Sequence, residues 1–428
     1  MTNEPLYTTR RGFLGGSLTL LSTAATLPVF LGRTVQALAG EEPAGGARRS
    51  DPILVVVQLA GGNDGLNTVI PYEMDGYYRS RPRLAVPARQ VLKLEKGVGL
   101  HPSAVALKEV FDEGKLAIIQ GVGYPNPNRS HFTSMDIWHL ADPDQRAKQG
   151  WLGRYFDACC NGSDPEPIDS IALLGEAPLA LQGRKFMPLA FESTDALAWG
   201  AGRRDQAAAA AFRKLNNIDG DVPETEKVLA DYLQRAALKA QVGADNIRSA
   251  AGAASAGRRA RRRVTGGGGG VLGQQLQLVA RLIQADLPTR VYYVSMGGFD
   301  THTNQAGRHQ QLLTQFGEAV QGFLDTLEEH KLQERVLLVT FSEFGRRVQE
   351  NASGGTDHGE AAPMFLFGSK VIGGVHEKHP SLERLHRGDL AYGVDFRRVY
   401  ATVLRDWLKA DARQVLGSNQ MPLKLLRR

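Results

Sequence analysis

Blocks of hydrophobic residues along this chain end in short polar segments, and this pattern predicts buried strands followed by loops. The runs ILVVVQL (Ile53–Leu59) and VYYVSM (Val291–Met296) are apolar almost throughout and rich in β-branched or aromatic residues. Continuous runs of this kind are typical of strands that are buried on both faces of a sheet. Leu116–Gln120, Val336–Phe341 and Met364–Phe367 repeat the pattern. We therefore predict five core strands.

Helical periodicity separates several of these strands. Pro102 is placed to begin a helix and Gly114 to end it. Between the third and fourth strands, apolar residues recur at helical spacing at Leu312, Leu313, Phe316, Val320, Phe323, Leu324 and Leu327. Near the C-terminus a second stripe predicts a helix that closes the core, with Val399, Tyr400, Val403, Leu404, Trp407 and Leu408 buried. The order strand, helix, strand predicts an α/β fold, a mainly parallel sheet sandwiched by helices.

Residues 200–270 differ from the rest of the chain. They are rich in helix-forming residues and end in a low-complexity stretch that contains the basic cluster Gly257–Arg263. No composition break is sharp enough to divide the chain. We therefore expect one α/β domain over residues 40–428 with a helical, partly low-complexity insertion at about 200–270.

The N-terminal segment resembles an export signal. Arg10 and Arg11 precede a weakly apolar stretch, and the small residues Ala37–Ala39 follow it. This arrangement is typical of a twin-arginine signal over residues 1–39, which would deliver the protein to the periplasm or the extracellular space. A retained membrane anchor is the alternative, although Pro28 interrupts the apolar stretch. No other segment is apolar for the roughly 18 residues that a membrane span needs.

Composition narrows the functional classes. The chain has 428 residues, of which 42% are hydrophobic and 22% charged, and this is ordinary for a protein with a sizeable core. The net charge of +6 comes largely from local clusters and gives no reason to expect a nucleic-acid partner. The two cysteines, Cys159 and Cys160, are adjacent, which favours packed thiols over a strained vicinal disulfide and excludes a cysteine-rich zinc site.

The chemistry of this chain is predicted to lie where the strands end. Ligands bind outside the carboxyl ends of strands in open α/β sheets, so polar residues just beyond the apolar runs are expected to meet at one edge. These residues are Asp64, Arg129, Ser130, His131, Asp300, His302, Glu343, Arg346, Asp357 and His358. A mixture of carboxylates and imidazoles suits a zinc-like or manganese-like divalent cation, with calcium less favoured.

Several motifs of the chain resemble those of the domain of unknown function 1501 family. They are QLAGGNDGLNTVIP, NRSHFTSMDIW, GFDTHTNQ, FSEFGRR, GTDHGEAAPMFLFG and DFRRVYATVLRDWL, and they extend from about Ile53 to Leu408. The family looks like a branch of the alkaline phosphatase and sulfatase superfamily. The resemblance therefore implies an alkaline-phosphatase-like fold, one or two metal ions and a hydroxyl or modified cysteine nucleophile.

The resemblance also implies roles for individual residues. Asp64 resembles the metal ligand after the first strand, and Ser130 lies where the superfamily keeps its nucleophile. Asp300 and His302 resemble an Asp…His ligand pair, and His358 resembles the late histidine that precedes the last core strand.

Two segments compete for the Ser-Asp-His-Gly motif of the superfamily. We prefer FSEFG, which follows a strand, over TDHG. With this choice Glu343 stands at the aspartate position of the motif and Phe344 at its histidine position, so one imidazole ligand is missing. Asp357 could supply a ligand in its place. His376 is a further possible source of a missing ligand.

Two functional hypotheses follow from these observations. In the first, the protein uses a metal ion to hydrolyse a phosphate or sulfate ester. The metal activates Ser130 or a water, Arg129 and Arg346 bind the anionic ester, and His131 orients the serine or protonates the leaving group. In the second, an exported, non-catalytic protein retains the fold and binds a metal or a partner. The basic insertion and the incomplete ligand set favour this alternative.

Overall fold

A computed structural model describes residues 51–159, 165–194, 244, 247–249 and 269–427. The expected signal segment 1–39, most of the expected insertion at 200–270, Cys160 and Trp199 lie outside the described residues.

Twelve strands and nine helices make up the described part of the chain. The strands are β1 (Ile53–Leu59), β2 (Val69–Ile70), β3 (Leu92–Lys93), β4 (Gly99–Leu100), β5 (Leu116–Gly123), β6 (Ser170–Ala172), β7 (Leu189–Ala190), β8 (Val291–Met296), β9 (Val336–Phe341), β10 (Ala362–Phe367), β11 (Gly374–His376) and β12 (Val394–Asp395). The helices are α1 (Gly65–Thr68), α2 (Asp75–Ser80), α3 (Val105–Asp112), α4 (His131–Leu140), α5 (Trp151–Cys159), α6 (Gly270–Gln284), α7 (Gln305–Glu329), α8 (Phe396–Thr402) and α9 (Ala412–Leu416). A π-helical turn, Val403–Trp407, continues α8.

The main sheet has nine strands in the order β11-β5-β10-β9-β1-β8-β6-β7, with β12 paired to β5. The strand pairs are parallel except that β10 runs antiparallel to both of its neighbours, β5 and β9. The mainly parallel sheet is therefore confirmed. Because β10 is reversed, its first residues lie at the edge where its neighbours end, and the loops on both sides of it meet there.

The central strand β1 shows why the sheet needs helices on both of its faces. All but one of its residues are buried, and successive side chains point to opposite faces. Val55 and Val57 belong to a core that includes residues of α3, α6 and α7, whereas Leu54 and Val56 belong to a second core with residues of α4, α5 and α8. The layered arrangement predicted from the alternation of strands and helices is thus confirmed.

The strongest sequence patterns give accurate element bounds. The predicted strands Ile53–Leu59, Val291–Met296 and Val336–Phe341 are confirmed, while β5 continues to Gly123 and β10 begins two residues earlier, at Ala362. The C-terminal apolar stripe is buried as predicted, and so are the three described tryptophans, Trp138, Trp151 and Trp407. None of the described helices is both long and apolar enough to cross a membrane.

His139 lies on α4 in the second core and makes the stability of the fold sensitive to acid. Its Nε2 is 3.0 Å from the hydroxyl of Tyr293, and burial lowers the pKa of His139 from 6.5 to about 4. Between these values the unfolded chain binds a proton that the folded protein excludes. We expect full stability above about pH 6.5 and a loss of up to roughly 1.4 kcal/mol per pH unit from this histidine as the pH falls towards 4.

Urea titrations at pH 7, 6 and 5 measure this loss. Burial shifts His101 and His309 in the same direction, so the wild-type slope contains their contributions as well. The slope of the free energy of unfolding against pH reports the number of protons taken up on unfolding. This number should fall by about one in His139→Gln and stay unchanged in His330→Gln, which alters an exposed position. An unaltered slope in His139→Gln would show that His139 is not held neutral.

Candidate metal centre

Three loops bring the polar residues predicted from the sequence to one edge of the sheet. His131 begins α4 after β5, Asp300 and His302 follow β8, and Glu343 follows β9. His358 lies in the connection from β9 to β10, and that connection returns to the same edge because β10 is reversed. Residues that are up to 227 positions apart in sequence (131 to 358) therefore lie together.

Three imidazoles and one carboxylate converge within this edge. His302 Nε2 and His358 Nε2 are 2.9 Å apart, and each is 3.1 Å from Oδ1 of Asp300. On the other side of the same carboxylate, His131 Nε2 is 3.5 Å from Oδ2 of Asp300. Among the described residues, His131, Asp300 and His358 offer ligand atoms that all lie within 4.8 Å of one another and could hold a metal ion. We call these four residues the metal cluster.

The other ring nitrogen of each histidine faces an oxygen acceptor. His131 Nδ1 is 2.8 Å from Oε1 of Glu343, and His302 Nδ1 is 3.0 Å from Oδ1 of Asp357. His358 Nδ1 is 2.8 Å from the carbonyl oxygen of Arg129. An acceptor at Nδ1 fixes the proton there, so that Nε2 keeps its lone pair. All three lone pairs are then directed towards Asp300.

This geometry fits a cation. Two neutral Nε2 lone pairs at 2.9 Å repel each other unless a proton or a metal ion lies near both of them. In a tetrahedral zinc site with bonds of 2.0–2.1 Å, neighbouring ligand atoms are about 3.3 Å apart. The contacts of Asp300 with the three imidazoles and the contact between His302 and His358, 2.9 to 3.5 Å, bracket that value.

Glu343 and Asp357 lie behind histidines. Glu343 is buried, and its Oε1 also accepts a hydrogen bond from the backbone of Gly61 at 2.8 Å. Asp357 accepts hydrogen bonds from Asn351 and His302, which lower its pKa. Both residues were predicted as direct ligands, and in the structure the carboxylate of each faces an Nδ1 atom of a histidine.

Asp64 lies in a separate buried network. It caps α1, and its Oδ2 accepts hydrogen bonds from Arg81 at 2.6 Å and from Gln305. Burial works to raise the pKa of Asp64, but the charge and hydrogen bond of Arg81 outweigh burial and the pKa is lowered. This ion pair occupies the carboxylate that the sequence analysis assigned to a metal.

Arg346 is buried beneath the cluster, where its guanidinium supports the loops. It donates hydrogen bonds to four backbone carbonyls, those of Gly61, Gly62, Phe299 and Thr356. A further bond of 2.6 Å reaches Oδ1 of Asp300. These contacts occupy donors that the sequence analysis assigned to a substrate.

The same guanidinium sets the charge of Asp300. Burial works to raise the pKa of Asp300, but the hydrogen bond and the charge of Arg346 outweigh it and lower the pKa to about 2. Asp300 is therefore ionised at neutral pH, as a metal ligand must be.

Ser130 and Arg129 directly precede His131 of the cluster, whereas His376 lies elsewhere. Ser130 is exposed and immediately precedes α4, but its side chain makes no capping hydrogen bond. Arg129 pairs with the buried Asp389. Phe344 packs against the rings of His131 and His358, with ring centroids 4.9 and 4.5 Å away. His376 lies on β11 and its Nε2 contacts the carbonyl oxygen of Ile372, so it joins no described ligand set.

A cavity of about 250 Å³ lies elsewhere, lined in part by Arg290, Lys409 and Gln414. Arg290 directly precedes β8, so this cavity borders the opposite edge of the sheet. Its position gives it no part in the chemistry of the metal cluster.

Residues 118–425, well over half of the chain, match the model of a family described as protein of unknown function, DUF1501. The chain belongs to the DUF1501 family. This confirms the resemblance drawn from the six motifs. Among curated proteins, none matches the sequence significantly.

Solved structures that match this chain include a sulfatase, a periplasmic domain and a lipoteichoic acid synthase. The PsFucS1 sulfatase from Pseudoalteromonas sp. is 10% identical, with a TM-score of 0.36 over 93% of this chain and 76% of that one. The C-terminal periplasmic domain of EcEptC from Escherichia coli is also 10% identical, with a TM-score of 0.36 over 90% of each chain. The lipoteichoic acid synthase LtaP from Listeria monocytogenes is 8% identical, with a TM-score of 0.31 over 78% of this chain and 70% of that one. Likenesses this weak carry no argument about activity.

Gly61 is the position where a small change should disturb the cluster without touching a ligand. Its φ of +116° is rarely adopted by other residues, and an added Cβ would lie 2.4 Å from the backbone nitrogen of Asp300. We therefore expect Gly61→Ala to displace Asp300 and to weaken zinc binding at least about tenfold, comparable to the loss of a supporting residue.

Gly297→Ala is the matched control, because Gly297 has open space around its Cβ position and lies three residues from Asp300. Zinc titrations of both variants, each checked for folding by circular dichroism, make the comparison. Equal affinities in the two variants would show that the close approach at Gly61 does not position the cluster.

Proposed function

We propose that this protein is an exported, metal-dependent hydrolase of phosphate or sulfate esters. The observation that carries the proposal is the convergence of three imidazole Nε2 atoms on the ionised carboxylate of Asp300. A metal centre with an exposed side, at the carboxyl ends of parallel strands, is the usual place for catalysis in an α/β fold. Export rests on the twin-arginine pattern around Arg10 and Arg11.

The donor set favours zinc over manganese. His131, His302 and His358 supply nitrogen ligands, which suit zinc, whereas manganese prefers sites dominated by oxygen. A divalent cation held by these residues supplies Lewis-acid polarisation of the ester and lowers the pKa of an attacking water or hydroxyl.

The protein's own residues have separable tasks in this proposal. Glu343 and Asp357 hold protons on the Nδ1 atoms of His131 and His302, so the rings cannot turn away from the centre. With both nitrogens engaged, the imidazole of His131 is a ligand and not a base for its neighbour. Ser130, whose side chain is exposed at the start of α4, is the candidate nucleophile, and a water is its competitor.

Metal content tests the centre without assuming a substrate. We expect about one zinc per chain in natively exported protein, and His131→Ala should lose most of it because a ligand is removed. Glu343→Gln should weaken zinc binding by about 10- to 100-fold, as expected for a residue that orients a ligating histidine.

Glu328→Gln serves as the control for this measurement, since Glu328 lies on the exposed face of α7 and pairs with Lys115. Elemental analysis of each purified variant provides the readout. Full zinc content in His131→Ala would remove this histidine from the ligand set.

Turnover of nitrophenyl phosphate and nitrophenyl sulfate tests the activity. We expect hydrolysis of at least one of the two esters, and its loss after zinc removal. If Ser130 is the nucleophile, Ser130→Ala should lower kcat by at least about 100-fold with unchanged zinc content.

Activity that survives in Ser130→Ala but disappears in His131→Ala would assign the attack to water. Tightly bound zinc without turnover of either ester would instead favour the non-catalytic, metal-binding alternative.

A further inference from the structure

Two arginines flank the metal cluster and share one buried carboxylate. Arg129 pairs with Asp389, and Nε of Arg347 is 3.3 Å from Oδ1 of the same residue. The side chain of Asp389 is completely buried, whereas each arginine side chain is 37% exposed. The pair therefore presents positive charge to solvent and keeps its counter-charge inside.

The backbones of both arginines are joined directly to the cluster loop. The carbonyl oxygen of Arg129 faces His358 Nδ1 at 2.8 Å, and the backbone nitrogen of Arg347 donates to the carbonyl of Asp357 at 2.9 Å. The backbones of the two arginines are therefore held beside the cluster loop, and the shared carboxylate of Asp389 holds their guanidinium groups.

Several guanidinium donors remain available. Within the described part of the chain, Nε and Nη1 of Arg129 make no hydrogen bond, and neither does Nη1 of Arg347, whose Nη2 donates to the carbonyl of Arg387. Gly388 makes room for this geometry, because a Cβ there would lie 2.6 Å from Nη2 of Arg347. Free donors on two fixed guanidinium planes suit a tetrahedral oxyanion.

The other charged groups around the pair do not cancel it at the surface. Glu360 is 3.7 Å from Nη2 of Arg129, but it is nearly buried and both of its oxygens contact Nδ1 of His386. Asp300 and Asp357 are turned towards the histidines. The partly exposed groups that a ligand would meet at this position are the guanidinium groups of Arg129 and Arg347.

We propose that Arg129 and Arg347 form an anion-binding subsite beside the metal cluster, which takes a tetrahedral oxyanion such as phosphate or sulfate. This inference rests on the proposed function, and it replaces the buried Arg346 with Arg347 as the second residue that recognises the ester. The oxyanion is either the group that is transferred or a second anionic group on the same substrate.

Calorimetric titration of the zinc-loaded protein with inorganic phosphate tests the subsite without turnover. We expect Arg129→Gln and Arg347→Gln each to weaken phosphate binding at least about tenfold, because a charged, forked donor is lost. Arg347→Lys, which keeps the charge but not the fork, should lose less. Arg335→Gln is the matched control, since Arg335 also pairs with a carboxylate, Asp286, but precedes β9 at the opposite edge.

A double variant guards against misfolding. Arg129→Gln leaves the buried Asp389 with one partner fewer, so Arg129→Gln combined with Asp389→Asn removes the charge on both sides. The double variant should bind phosphate as weakly as Arg129→Gln alone. Wild-type phosphate affinity in both single arginine variants, or in the double variant, would overturn the inference.

Phosphate titration with and without zinc distinguishes a transferred group from a second anionic group on the substrate. If phosphate binding disappears when zinc is removed, the subsite holds the transferred group; if it persists, the subsite holds a second anionic group. Absence of ester turnover would contradict the proposed function but would leave the phosphate titration as an independent result.

Discussion

The buried guanidinium of Arg346 is the constraint on which the site depends. A charge placed inside a protein is strongly unfavourable unless every donor finds a partner. Arg346 meets this requirement only by drawing in the loop after β1, through Gly61 and Gly62, the loop after β8, through Phe299 and Asp300, and the carbonyl of Thr356. Each bond to a charged donor contributes about 1.5–3 kcal/mol. The loop that carries Asp300 and His302 and the connection that carries His358 are thus held by the same interactions that satisfy the buried charge.

Hydrophobic patterning predicted well the strands that surround this site and the edge of the sheet where it lies. Long apolar runs gave the bounds of β1, β8 and β9, and the rule for carboxyl ends of strands gave the edge where the polar residues meet. The reversed direction of β10 could not be read from its sequence, because a buried strand of either direction shows the same continuous apolar run. The two- and three-residue strands at the ends of the sheet are too short to produce a pattern.

The roles of individual residues were harder to predict than their location. Sequence showed that Asp64, Asp300 and Glu343 are carboxylates at strand ends, but not which cation or imidazole each one faces. Asp64 faces Arg81, Asp300 faces three imidazoles, and Glu343 faces a single ring nitrogen. His131 was predicted to orient Ser130 or to protonate the leaving group, whereas its two ring nitrogens face Glu343 and Asp300. The difference is set by distances across loops that are far apart in sequence, which residue types do not encode.

The reversed β10 has a consequence for how this fold can vary. Since β9 ends at this edge and β10 begins there, the connection between them lies entirely at the edge, carries Glu343, Asp357 and His358, and joins two neighbouring strands. Because this connection joins neighbouring strands, its length can change without altering the order of the strands in the sheet. A change in this connection would therefore act on the metal cluster through His358, while the hydrophobic layers beneath it stay the same.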